Sequence, residues 1–424
     1  MRTLNKYKFN IFIVNLNLII FFVGFPVFTT IFYGGEGPND STSSMTMGYR
    51  LFTLLLAFLV ILLNHKFPRL NKFGKLFLFL WIAYIIRIIF DLYVRDESFY
   101  FSTNQKLLHL NGSLVSSFIP MIATFFSYKK IIWIKVFYSL LFLLTFCTLF
   151  GLLNITKDLV RFRMNVAQNT LAFGFYSAAT SLAALTLIRS NIQINNLIKF
   201  FLLLIIFIGL LGIGFAGSRG PFFGFVFAVL LTPILELKPK TIFIILFLFL
   251  IFYFFDDLIL GFLQDNFSVL FSRTTETIME GDMSEREYIF QDALAQIKSH
   301  PILGDWHLLY VEKNGIGNGA HNIFLATFMS LGLFIGSIIV FLYIYFIKIA
   351  IKLIAAKNTY SFIGYLTLLC ISYSLTTGGD LPYKETFNFA FGMLILTTIS
   401  ISKISKKLSN NSLEVNIYKR ESNG

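Results

Sequence analysis

Predominantly apolar runs of 18 or more residues recur along most of this 424-residue chain, the length a helix needs to cross a bilayer. They read as about twelve spans, at roughly 9–32, 48–64, 73–93, 107–127, 131–152, 168–189, 197–216, 220–236, 240–255, 321–347, 359–377 and 384–402. A mean hydropathy of +0.74 with only 13% charged residues excludes an ordinary soluble domain. The 53 phenylalanines and 19 tyrosines suit lipid-facing and interfacial positions. The expected fold is an all-α polytopic membrane protein. No internal repeat is visible, so the inverted symmetry of many transporters has no support in the sequence.

The basic residues set the orientation. With the N-terminus in the cytoplasm, one side collects Arg2, Lys6 and Lys8, then Lys66, Arg69, Lys72 and Lys75, then Lys129, Lys130 and Lys135. Arg189, Lys199, Lys238, Lys240, Lys348, Lys352, Lys357 and the tail lysines follow on the same side. Both termini are then expected in the cytoplasm. The net charge of +13 becomes a statement about topology and gives no reason to invoke nucleic acid. The run from Phe9 to Phe32 is too long for a signal-peptide core and reads as a retained first helix. Cys147 and Cys370 fall inside apolar runs and read as buried apolar residues.

This orientation exports one long hydrophilic segment, residues 256–320, between the ninth and tenth spans. The expected organisation is therefore 1–255 (nine spans), 256–320 (an extracytoplasmic loop), 321–402 (three spans) and 403–424 (a cytoplasmic tail). The loop reads as partly helical. Leu258 to Phe271 is apolar enough to lie along the membrane. Ser284-Glu285-Arg286-Glu287 is a capping box for a helix with Ile289, Phe290, Ala293, Leu294 and Ile297 on one face, ending at His300-Pro301. Gly315, Gly317 and Gly319 lead to His321-Asn322.

Candidate chemistry gathers on the outer side. Gly217-Ser218-Arg219-Gly220-Pro221 holds an arginine in a tight turn with no carboxylate nearby in sequence. A guanidinium fork suits a phosphate or pyrophosphate, and glycines let backbone N–H groups approach the same anion. The plainer reading is an interfacial anchor. His321, at a helix start beside Asn322, can accept a proton from a hydroxyl nucleophile; otherwise it only begins a helix. His300 reads as a helix stop, and His307 has no supporting neighbours. Arg87 and Asp91, one turn apart inside the third span, read as a structural pair. Asp256-Asp257 reads as a solvated helix end, not a metal site. No cofactor or nucleotide motif is seen.

Three segments in order resemble the O-antigen polymerase/ligase family, the Wzy-type polymerases of bacterial surface polysaccharide and their ligase relatives. They are Ala216-Gly217-Ser218-Arg219-Gly220; Glu285-Arg286-Glu287-Tyr288-Ile289-Phe290 leading to His300-Pro301-Ile302-Leu303-Gly304; and Ala320-His321-Asn322-Ile323-Phe324-Leu325 with Leu331-Gly332-Leu333-Phe334-Ile335-Gly336. The resemblance implies inverting, metal-independent glycosyl transfer on the outer face of the inner membrane, without a cofactor. The implied donor is a glycan on undecaprenyl pyrophosphate. Arg219 and Arg286 would hold the pyrophosphate, and His321 would activate the acceptor hydroxyl. Asn322 would contact substrate. Arg163, with Gln168 and Asn169 after it, is similar to a further family segment, although the proline usual before that Asn is missing. Asp380 resembles a late acidic position with a supporting role. A chain-length regulator and a flippase are the implied protein partners. The Gly-Ser-Arg-Gly form and the short Ala-His-Asn element look more like the polymerases than the ligases. A flippase would instead show charges buried in its spans and short loops on both sides.

Overall fold

In the computed structural model the described residues are 2–33, 40–94, 110–153, 170–236, 286–305, 320–376 and 381–399. They form helices and connections, with no strand among them. In chain order the helices are α1 (Arg2–Ile19), α2 (Phe25–Tyr33), α3 (Asp40–Leu63), α4 (Lys72–Ile89), α5 (Ile119–Ser127), α6 (Trp133–Leu153), α7 (Thr170–Arg189), α8 (Asn196–Ala216), α9 (Arg219–Glu236), α10 (Arg286–Ser299), α11 (Ile323–Ala355) and α12 (Ser361–Thr376). The last is α13 (Glu385–Ile399). π-Helical stretches join α1 to α2 (Ile20–Gly24), extend α4 (Phe90–Val94) and precede α5 (Asn111–Phe118). Seven helices among the described residues are long and apolar enough to cross a membrane, and three shorter apolar ones accompany them. The chain is a polytopic membrane protein. The ninth expected span, 240–255, lies outside the described residues, as do Leu258–Phe271, Ser284 and the 315–319 glycines.

Helix α7 is the hub. It is buried all round, with Phe173, Ala178, Leu182 and Ala183 at 0% exposure on different faces. Its small residues admit α8 at close range. A Cβ added at Gly209 would strike Ser181 Oγ and come within 2.6 Å of the Ser177 carbonyl, and one at Gly212 would strike Ser177 Oγ. In lipid, where apolar tails offer helices no reason to associate, such close backbone approach and the Ser181 Oγ–H to Ile206 C=O bond (3.0 Å) supply the attraction.

The basic connections meet at one end of the bundle. Asn191 N–H donates to Lys357 C=O (3.0 Å), the Trp133 ring stacks on Tyr360 at 5.6 Å, and Ile132 N–H donates to Asn15 Oδ1 (2.9 Å). The starts of α7, α9, α11 and α13 lie at the opposite end. Arg87 and Asp91 form the expected ion pair at 3.6 Å, with the Asp91 side chain fully buried. Both cysteines are free and buried.

Two features differ from the sequence reading. The tenth span was expected at 321–347; the helix runs from Ile323 to Ala355 and is broken at Gly332, which has φ 71 and ψ 175. The break is made from outside. Residues 301–305, just after α10, press their backbone into it. Asp305 N–H donates to Met329 C=O (2.7 Å), and Leu333 N–H donates to Pro301 C=O (2.8 Å). These bonds satisfy backbone groups that the interrupted helix leaves open. Gly304, at φ 70, faces Gly332, and a Cβ on either would overlap the other's backbone. The second difference is on α10. Ile289, Ala293 and Ile297 are buried against Ala320, Ala326 and Met329, but Leu294 is 45% exposed. The helix buries a narrow i, i+4 stripe, since it packs on one neighbour there.

Candidate functional site

The Arg219 turn is built by two glycine-dependent steps. Gly217 ends α8 in the left-handed region (φ 58) with its N–H bonded to Gly214 C=O at 3.0 Å, a C-cap that glycine adopts at little cost. Ser218 is buried at 1% exposure, and α9 begins at Arg219. Pro221 falls in the first turn, where its missing N–H is harmless. The turn rests on α7: a Cβ at Gly174 would lie 3.2 Å from both Ala216 Cβ and Pro221 Cγ. The half-buried Arg219 therefore stands at the positive end of α9, on a fixed support.

The second turn is Ala320-His321-Asn322. Ala320 is fully buried. His321 is left-handed, at φ 50, a conformation uncommon for a non-glycine residue. Asn322 then caps α11, its Oδ1 accepting from Phe324 N–H (2.9 Å) and Leu325 N–H (3.3 Å), while its Nδ2 donates to Leu375 C=O (3.3 Å). Both ends of the Asn322 amide thus hold the turn in shape and tie it to the end of α12.

Helix α12 also contacts the start of α9: a Cβ at Gly224 would meet Leu369 Cδ1 and, at 3.4 Å, Ser372 Cβ. The two turns therefore share α12 as a common support. Arg286 is the first residue of α10. Helix α10 and the segment Ile323–Leu331 share one apolar cluster, and both point their C-terminal ends at the Gly304–Gly332 contact. They run side by side in the same direction, so the start of α10 and the His321 turn face the same side. Arg163, Gln168, Asn169 and Asp380 lie outside the described residues, as do His307 and Asp256-Asp257. His300 ends α10 as expected, with Nδ1 3.3 Å from the buried Asp305 carboxylate.

The sequence reading missed a polar group at the start of α13. Lys384 and Glu385 open α13, where they line a cavity with Phe175, Tyr176, Tyr373 and Thr386. Ser116 donates to the Glu385 carboxylate, and Arg50 and Lys384 attract it. The available signal was a pair of opposite charges at the mouth of the last apolar run.

Fold and site together define a membrane-embedded, all-helical protein whose chemistry-bearing turns lie at one end. Residues 203–341 match the family model described as O-antigen ligase, a stretch holding Arg219, Arg286, His321 and Asn322. The match is consistent with the O-antigen polymerase/ligase family and supports a glycan-transferring activity of ligase/polymerase type. Comparison with curated proteins gives no match.

Proposed function

We propose that this protein polymerises undecaprenyl-pyrophosphate-linked oligosaccharide repeats into a surface polysaccharide, O-antigen or capsule, on the outer face of the bacterial inner membrane. The observation that carries the reading is the convergence of the Arg219 turn and the left-handed His321 turn on α12, with the start of α10 facing the same side. Arg219 and Arg286 hold the donor pyrophosphate. As the glycosidic bond to the pyrophosphate breaks, negative charge grows on the leaving group, and the guanidinium groups stabilise it. His321 takes the proton from the acceptor hydroxyl as that oxygen attacks the anomeric carbon from the opposite face, inverting it. Arg163, Asn169 and Asp380 contribute contacts to the glycan. The activated donor supplies the driving force. Lysines and arginines at the far end support a cytoplasmic location for both termini.

The test is a gene deletion followed by a gel of the surface glycan. Single repeats on the anchor support polymerisation. Long chains stranded on the lipid carrier would instead make the protein a ligase, the activity named in the description of the matching family model. Repeats held in the cytoplasmic leaflet would make it a flippase.

A further inference from the structure

Helices α7, α12 and α13 wall a cavity of about 140 Å3 whose lining includes Phe175, Tyr176, Tyr373, Lys384, Glu385 and Thr386. The helices that build it are the ones that hold the turns. Helix α7 brings Phe175 and Tyr176 while its Gly174 supports Pro221. Helix α12 brings Tyr373 while Leu375, two residues on, accepts the Asn322 amide. The segment bearing Lys384 and Glu385 is buttressed from behind. Asn388 Nδ2 donates to Leu381 C=O (2.8 Å) and Lys384 C=O (2.9 Å), and Trp81 Nε1 donates to Asn388 Oδ1 (2.9 Å).

The lining selects among ligands. The Glu385 carboxyl oxygens accept hydrogen bonds from hydroxyl groups. Lys384 offers donors to ligand oxygens, and the Tyr373 ring lines the same cavity, whereas the Tyr176 O–H already donates to Phe22 C=O (3.4 Å). Phe175 and Tyr373 meet edge to face at 5.4 Å, with Lys384 Nζ 5.7 Å from the centre of the Tyr373 ring. An apolar tail would leave these polar groups unsatisfied. At about 140 Å3 the cavity is smaller than the roughly 300 Å3 of a typical drug-sized site, so it admits one ring and not a chain. We infer that this cavity is a sugar subsite, in which Glu385 accepts hydroxyl hydrogen bonds from one ring of the lipid-linked glycan beside the reacting bond. The inference rests on the proposed glycan transfer.

Binding of two radiolabelled probes to the full-length protein in nanodiscs tests it: undecaprenyl pyrophosphate without sugar, and the lipid-linked repeat extracted from a deletion strain. The wild type is expected to bind the repeat more tightly than the bare carrier. Glu385→Gln should remove about tenfold of that preference, the loss expected when one hydrogen bond is lost, and leave bare-carrier binding unchanged. Tyr373→Phe should remove a smaller part. If both variants keep the full preference, the subsite is wrong while the proposed function stands. If Glu385→Gln loses both probes, Tyr373→Phe decides, and an undiminished preference there overturns the inference. If the wild type binds neither probe, the proposed function and the subsite fail together.

Discussion

The two turns at the functional end solve one backbone problem in opposite ways. Each leads into a helix start through a residue in the left-handed region. In the Arg219 turn that residue is Gly217, and the conformation is nearly free. In the other turn it is His321 itself, which costs about 1 kcal/mol for a residue with a Cβ. The first turn separates backbone strain from chemistry, with glycine making the bend and arginine carrying the charge two residues later. The second loads both on one residue and holds it by the Asn322 cap and the Leu375 tether. Strain kept by its surroundings points to a residue whose direction matters.

Substitutions can break or sharpen this contrast. The largest expected effects are on activity. His321→Ala should lower chain extension by roughly 100-fold or more, the range for a lost general base. Arg219→Ala should do the same through lost electrostatic stabilisation. Glycan length on a gel reports both, with membrane insertion as the control, and wild-type length in either would end the role assigned to that residue. Next comes the support behind the second turn. Gly332→Ala forces a Cβ into the backbone of Ile302 and Gly304 at a positive φ, and should destabilise by about 2–4 kcal/mol, seen as a lower thermal transition in detergent. Asn322→Ala should cost about 1–2 kcal/mol as a lost cap and depress activity further, because His321 loses its anchor. The smallest pair is the most direct. Gly217→Ala should cost about 1 kcal/mol and His321→Gly should gain about as much, while activity falls only in the second. Equal stability changes of the same sign would remove the contrast.

Much of the architecture was legible because the bilayer demands long apolar runs, and such runs are hard to mistake. The Arg219 turn was legible for a similar reason, since glycine, serine and proline between two apolar runs leave little choice but a turn. The Gly332 break was not. Gly332 sits inside an unbroken apolar stretch, and what opens the helix there is the backbone of Pro301 to Asp305, some thirty residues earlier. Periodicity sees only local sequence. The Leu294 side of α10 was misjudged likewise, because a helix pattern tells how apolar a face is but not how wide a neighbour will cover it. Glu385 and Lys384 escaped because their partners Arg50 and Ser116 come from distant segments. The left-handed setting of His321 has no sequence mark at all.

The contact between Gly304 and Gly332 has a consequence for building hybrids of this protein. Residues 301–305 and 329–333 complete each other's backbone hydrogen bonding, and neither glycine tolerates a side chain opposite the other. A graft that replaced only the segment up to residue 320 with one from a relative would separate the two halves of this joint. A graft that carried 286–336 as one piece would preserve it. Exchanges cut inside that stretch should yield poorly folded protein, and those cut outside it should yield active hybrids, so specificity swaps belong at the outer borders of the pair.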